Sequence, residues 1–597
     1  MGELTARQWI HGCYVRNDFG NNMVVKEKVV TIDEDTREIL SVKNRLTFDD
    51  KALLNPKRRI FVTKPQFRNH QYKKETEELS KVDMYICEDK YLKDDLKKIL
   101  DIPEYSRINL RKICNSPYVY NADVSMEALV RMHYNKVRAH PITPLSFGGF
   151  DIEASVLGCG RINIITYITN DTIYTTVLRD FMHKYVQNEN KSTEEFGGDN
   201  FLSKQANKKK KVATEDDIYD CIEKYLGPMA SPNHIRINLP YKDKNGNPKP
   251  VQKDYAFQLQ VCDTELECLF WIFEQIHREE TDFIGIWNID YDIPKIISRL
   301  NYYGVDPKNL FCHPSVPDRW KLVDYRQDKK KTQHVNDKWH WFYCTAMSQF
   351  IDSMLLYSRI RKTKRKQPTY RLDAISKIEL GFGKMTFGDD EISCYAHDHH
   401  YMQKYHFCEY VVYNIQDALL MVLMEEKNHD TTAMWNLTGD SPLSAFSKQS
   451  VMLRDGYYKF GLENGRVFAT TGDDMTGPYD HLLGKVGGAV LRADLCSDIG
   501  ARCIKERPGF ESMILVGASD LDYKAIYPSF KSGYGISKET KIATTVAIEG
   551  VDKELIEPLF GGIANPEVNA VWIGHDYFGL PNYEEMAEIA QKEFFHP

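Results

Sequence analysis

"FDIEAS", residues 150–155, places two carboxylates two positions apart in a short apolar, β-prone run. Side chains alternate across a strand, so Asp151 and Glu153 point to one face. A strand presents two oxygens to a hard cation in this way. Taken alone, an Asp-x-Glu pair equally describes a solvated strand end. The segment "HPITPLSFGG" (140–149) that leads into it carries proline and glycine and reads as a domain boundary. From there to about residue 430, apolar strands alternate with longer amphipathic helices, the pattern of an α/β unit. Upstream, strand-like stretches ("MVVKEKVVTI", "RRIFVTK") mix with helix-like ones ("KYLKDDLKKIL", "SMEALVRMHYNKVRA"), which predicts a small α+β domain.

Two more acidic positions stand out. In "FIGIWNIDYDIPKIISRL" (283–300) an apolar strand runs into Asn288 and a turn, and Pro294 is placed to open an amphipathic helix. Asp292 then lies at a strand-to-helix junction, with Asp290 as a competing candidate and an N-cap aspartate as the ordinary alternative. In "YHFCEYVVYNIQDALLMVLMEE" (405–426), a long apolar-periodic helix, Tyr413 and Asp417 are four apart and share a face. A carboxylate facing inward on such a helix costs several kcal/mol unless it is paired or metal-bound.

Composition bounds the alternatives. The 597 residues carry a net charge of −7, with 42% hydrophobic and 27% charged residues, and read as several globular domains. The N-terminus lacks the apolar core of a signal peptide, and a soluble, unexported protein is expected. The thirteen cysteines show no CxxC spacing, so reduced thiols rather than a zinc site are expected. Net acidity argues against an all-over basic nucleic-acid binder, but "RIRKTKRKQ" (359–367) is dense enough to contact phosphate. The runs Lys208–Lys211 and Lys329–Lys331 read as solvated loops, as does "HDHH" (397–400). Residues 186–253 read as a polar, lysine-rich insertion with loops, and "LLGKVGGAV" (482–490) as a hinge or turn. No GKS or GKT occurs, which excludes a P-loop.

Asp151, Glu153, Asp292 and Asp417, with Tyr413 four before the last, resemble in order and context the three exonuclease motifs of DEDD-type proofreading nucleases in the DNA polymerase family. "WNIDYDIP" looks like the second motif and favours Asp292 over Asp290; "YNIQD" matches the third in its tyrosine form. "DYKAIYPS" (522–529) resembles motif A of family B DNA polymerases, usually DxxSLYPS, and selects Asp522 rather than Asp520. "GISKETK" and "PTYRLDAIS" (368–376) are similar to segments of T-even-like phage enzymes, and "KVGGA" stands where the family carries Tyr-x-Gly-Gly, with Lys485 replacing the tyrosine. The resemblance runs from about residue 105 onward.

What the resemblance implies is a multidomain α/β and α+β chain: an N-terminal α+β domain (1–140), an RNase H-like 3′–5′ exonuclease domain (141–430), a helical linker returning to the N-terminal domain (431–505) and a partial palm (506–597). Two Mg2+ or Mn2+ ions would sit in the exonuclease site, with Asp151 bridging, Glu153 and Asp417 as further ligands, Asp292 acting partly through water, and Tyr413 orienting the attacking water. The loop from Lys321 to Trp341 would be a hairpin that helps to separate primer from template. Asn288, Arg359, Arg361 and Lys364 are the DNA-binding candidates. In the palm, Asp522 would bind two metals together with an aspartate from elsewhere, Tyr523, Lys524, Ala525 and Ile526 would cradle the dNTP, and Tyr527 would exclude a 2′-hydroxyl. The family's Lys-x-x-x-Asn-Ser-x-Tyr-Gly and Asp-Thr-Asp motifs do not occur. The expectation is therefore one chain of a split polymerase, with a truncated chain as the other explanation. A second chain would bring fingers, remaining palm and thumb; primer-template, a single-stranded 3′ end and a sliding clamp would be partners, in the cytoplasm of a phage-infected bacterium. A stand-alone exonuclease and a non-catalytic DNA-binding module are the rival readings.

Overall fold

Phe147–Ala154 forms the strand that its alternation predicts, near the centre of an eight-stranded mixed sheet. The computed structural model describes residues 3–17, 20–36, 38–48, 57–69, 76–137, 143–187, 208–241, 249–328, 335, 338–361, 367–385 and 399–470, and the strands 543–547, 569–573 and 576–577. Phe147–Ala154 pairs antiparallel with Ile162–Ile168, which pairs antiparallel with Thr172–Leu178. On its other side it runs parallel to Phe283–Ile286, and that strand runs parallel to Gln349–Asp352. Beyond Thr172–Leu178 come the parallel Val251–Cys262 and the antiparallel His234–Leu239 and Met229–Ser231. The middle strands are buried almost end to end, as apolar runs covered on both faces must be.

Parallel neighbours require crossovers, and helices supply them. Glu265–Glu279 enters through a capping box of Thr264 and Glu267 and leads to Phe283–Ile286. Ile289–Tyr302 follows that strand. The sequence placed this helix's start at Pro294; it begins one and a half turns earlier, with Asn288 as its N-cap residue and Pro294 inside it. The proline removes one intrahelical bond, but burial of Ile289 and Ile293 holds the turn before it.

The helix Phe407–Asn428 matches the predicted apolar-periodic segment and packs on Phe147–Ala154 and Ile162–Ile168. It is long and apolar enough to cross a membrane, yet 89% of its most apolar window is buried inside the protein, which makes it a core helix. Its approach to the sheet is set by Gly149, where an added Cβ would collide with the Ala418 carbonyl. That close approach brings Asp417 over the strand that carries Asp151.

Within 186–253, the described residues include regular elements as well as loops. His183–Gln187 pairs with Lys208–Val212, Glu215–Tyr225 is helical, and His234–Leu239 extends the central sheet. The alternating burial of "HIRINL" is a strand signal that the surrounding lysines obscured. The Lys321–Trp341 segment is bracketed by a strand pair, Val323–Arg326 with Trp341–Cys344. Ten cysteines are described, and they are thiols rather than disulfides.

The chain divides into two compact units, residues 1–67, 76–114 and 118–470 in one, and 68–75, 115–117 and 471–597 in the other. Residues 143–149 belong to the first unit. There, Glu3–Asn17, Gly20–Asp33 and Ile39–Thr47 form an antiparallel sheet, and Arg466–Phe468 returns to pair with Thr76–Glu78. The N-terminal sheet is tied to the central one through charge: Asp282, fully buried before Phe283, takes Lys26 at 2.7 Å and Lys28 at 2.6 Å. The Lys28 ammonium also donates to the Pro144 carbonyl at 2.7 Å, and Ser146 N–H donates to Asp282 at 2.8 Å. In the second unit, Ala543–Ala547, Asn569–Ile573 and Asp576–Tyr577 form a three-stranded antiparallel sheet.

Candidate metal centre

The strand's pleat turns Asp151 and Glu153 to the same side, and the Phe407–Asn428 helix lays Asp417 against them. Ligand oxygens of Asp151, Glu153 and Asp417 lie within 4.8 Å of one another. Asp292, in the first turn of Ile289–Tyr302, is buried beside them and acts electrostatically on Asp151, though it lies outside that tightest set. One carboxylate oxygen each of Asp292 and Asp417, both buried, has no hydrogen-bond partner among the described residues. Buried oxygens left in this state cost free energy unless a cation or water meets them.

The electrostatics follow from crowding. Burial, then Asp292, Glu153 and Asp417, holds the Asp151 carboxyl well above the usual carboxylate range. Burial pushes Glu153 up to about 8, against the hydrogen bond from Tyr410. Burial, then Glu153, raises Asp292. Like charges packed in low dielectric disfavour ionisation together. An all-oxygen set of this kind fits a hard divalent cation such as Mg2+ or Mn2+ far better than a soft one.

Side chains that the sequence did not single out hold the acids in place. Asn414 Nδ2 donates to Asp151 at 2.6 Å. The Tyr410 hydroxyl donates to Glu153, and its ring stacks on Tyr413 with centroids 5.7 Å apart. Gln403 is fully buried and clamps the end of the strand, donating to the Ala154 carbonyl at 2.8 Å and accepting from Val156 N–H at 3.0 Å. Lys384, from "GFGKMTF", donates to the Tyr413 hydroxyl at 2.6 Å and pairs with Asp417. Burial alone would lower the Lys384 ammonium, but Asp417 and Tyr413 outweigh it and keep it charged. Tyr410 and Asn414 were open to inference as polar positions one turn apart on an apolar helix; Lys384 and Gln403 carried no such signal.

His399 corrects an expectation. It was read as part of a surface loop, but it starts the helix His399–Tyr405, and its Nδ1 lies 2.7 Å from the Tyr410 hydroxyl and 3.6 Å from Glu153. Packing of that short helix on the start of the longer one brings it inward. Asp290, the competitor of Asp292, faces elsewhere and accepts from Tyr325 at 2.6 Å and Gln327 at 2.8 Å.

The DNA-binding candidates divide. Asn288 is exposed at the helix N-cap. Arg361 is turned inward, its Nη1 donating to both carboxylate oxygens of Asp430 at 3.0 and 2.8 Å and its guanidinium over the Tyr357 ring, and Arg359 donates to the Ser447 carbonyl. The basic run is dense enough to meet phosphate, but these two guanidiniums bond acceptors of the protein itself. Lys364 lies outside the described residues, as do Lys329–Lys331, the 482–490 segment, and Asp522, Tyr523, Lys524, Ala525, Ile526 and Tyr527.

No family model matches the sequence, and no curated protein matches it as a relative.

Proposed function

We propose that this chain hydrolyses DNA from a 3′ end at the Asp151, Glu153, Asp292 and Asp417 cluster, as a DEDD-type exonuclease on an RNase H-like domain. The observation that carries the reading is the convergence of three carboxylates from two distant segments within 4.8 Å, with unpartnered oxygens on Asp417 and on the neighbouring Asp292. The strand order supports the fold: a three-stranded antiparallel meander, with parallel strands added beside its first member by helical crossovers. Asp151, Glu153 and Asp417 would hold one divalent cation directly, with Asp292 beside Asp151 serving a second. Bound there, two such ions activate a water and stabilise the leaving 3′ oxygen.

The protein's own groups do the rest. Asn414 and Tyr410 fix the carboxylates of Asp151 and Glu153, so little reorganisation is left for the reaction. The Tyr413 hydroxyl, held by Lys384, stands at the cluster to orient a water. Lys384 offsets part of the negative charge that a phosphodiester would meet on entering. The dNTP site around Asp522 is proposed from its sequence alone. Primer extension requires the fingers and the second palm carboxylate, which these 597 residues do not carry, and is expected only with a polypeptide that does.

The test is digestion of a 5′-labelled primer-template with Mg2+ by the wild type and by Asp151→Ala/Glu153→Ala. Laddering from the 3′ end that the variant abolishes supports the reading. Absence of laddering, or laddering unchanged in the variant, contradicts it.

A further inference from the structure

Beside the carboxylate cluster lies a second feature, a cavity of about 560 Å³ lined by Val156, Leu157, Gly158, His183, Lys210, His400 and Lys404. It begins where the Asp151 strand ends. Val156 is three residues past Glu153, in the turn that follows the strand. Two buried anchors fix its walls. Gln403 holds Val156 N–H and the Ala154 carbonyl, so the turn after the strand is bound to the His399–Tyr405 helix. His183 stacks on Phe407 with centroids 5.9 Å apart, and its Nε2 lies 2.7 Å from the Lys404 carbonyl. The strand pair of the 186–253 insertion then delivers Lys210, in register opposite Tyr185.

The chemistry of the lining is one-sided. Its lining includes two lysines and two histidines, and no carboxylate among the described residues. Other lysines of the chain pair with acids, as Lys184 does with Asp217. Among the described residues, neither Lys210 nor Lys404 has an ion pair, and both are exposed. Val156 and Leu157, also in the lining, expose 49% and 39% of their surface and add apolar area beside the lysines. Cations beside an apolar platform are the combination that single-stranded nucleic acid selects, phosphate on the charges and base on the platform.

We propose that this cavity is a phosphate subsite of the nucleotide strand that feeds the carboxylate cluster, with Lys210 and Lys404 taking phosphodiester oxygens and Val156 and Leu157 supporting a base. The proposal rests on the exonuclease reading and deepens it: the insertion that brings Lys210 serves to hold the strand. The same phosphate chemistry would also accept a released mononucleotide, and the test separates the two sources.

The experiment uses the full chain carrying Asp151→Ala/Glu153→Ala, so that the probe survives, with and without Lys210→Ala/Lys404→Ala. Anisotropy of a fluorescein-labelled single-stranded DNA is followed across salt, and dAMP binding is followed by calorimetry. Loss of two phosphate contacts is expected to weaken oligonucleotide binding about tenfold and to reduce the slope of log K against log salt by about 1.4, with dAMP binding unaltered and Lys210→Arg/Lys404→Arg restoring the affinity. Loss confined to dAMP overturns the strand assignment in favour of a product pocket. Unchanged binding of both overturns the subsite altogether. A lysine effect in a chain whose wild type digests nothing would keep the subsite and remove the exonuclease; digestion that is indifferent to the lysines, with unchanged binding, would do the reverse.

Discussion

Two groups of buried acids in this protein have opposite surroundings. Asp282 is sealed under the N-terminal sheet with two lysines, a serine N–H and no acidic neighbour in contact. Burial alone would raise its pKa, but Lys26 and Lys28 outweigh burial and hold it below the ordinary value. Among the described residues, Asp151, Glu153, Asp292 and Asp417 have one ammonium beside them, that of Lys384, and all four stand above their ordinary values chiefly because of burial. Charge that is balanced inside the fold holds two sheets together. Charge left unbalanced costs stability and marks a place built for a cation from outside.

The largest effect should come from breaking the balanced group. Asp282→Ala strands two buried ammonium groups and is expected to cost about 3–5 kcal/mol in urea unfolding. A cost below about 1 kcal/mol would remove the distinction between the two groups. Gly149→Ala attacks the geometry of the other group. Its Cβ meets the Ala418 carbonyl, so the helix must shift, at a cost of about 1–3 kcal/mol, and Asp417 moves away from Asp151. Digestion should fall with it; full activity in a folded Gly149→Ala protein would show that the close approach is dispensable.

The two groups also predict opposite pH dependence. Glu153, raised to about 8, contributes stability that is fully present below the unfolded carboxyl value and is lost as pH rises through about 8. Asp282, depressed, contributes stability present above its unfolded value and lost as pH falls through its lower folded one. In EDTA the melting temperature should therefore decline from about pH 5 to pH 8, and Glu153→Gln should flatten that limb while leaving the acid limb intact. A limb unchanged by Glu153→Gln would assign it elsewhere. The smallest change, Tyr410→Phe, removes one hydrogen bond to Glu153. It should lower kcat about tenfold, the equivalent of a hydrogen bond to a charged group, with KM for DNA unaltered.

How much of this could be read in advance depended on whether the signal was local. Asp151 and Glu153 were legible because a strand's period fixes their shared face, and Tyr413 with Asp417 because four residues make a helical turn. The apolar surroundings of each made the charge conspicuous. Pro294 misplaced a helix start because buried isoleucines upstream overrode the rule for proline. Lys384, Gln403 and His399 were invisible as site residues, since each reaches the cluster from a separate segment through packing alone. The Lys26 and Lys28 pairing with Asp282 joins residues more than 250 positions apart and leaves no periodic trace. Arg361 misled for the converse reason: a basic run announces charge, but not that a buried Asp430 will claim it.

The most direct test of the central claim is calorimetric titration of Mn2+ into the metal-free chain and into its Asp151→Asn/Glu153→Gln variant. Saturable binding by the wild type, absent from a variant that stays folded, with the wild type stabilised as Mn2+ rises, is the predicted result. No binding by the wild type, or equal binding by both, would contradict it and leave the buried acids without the cation that their arrangement calls for.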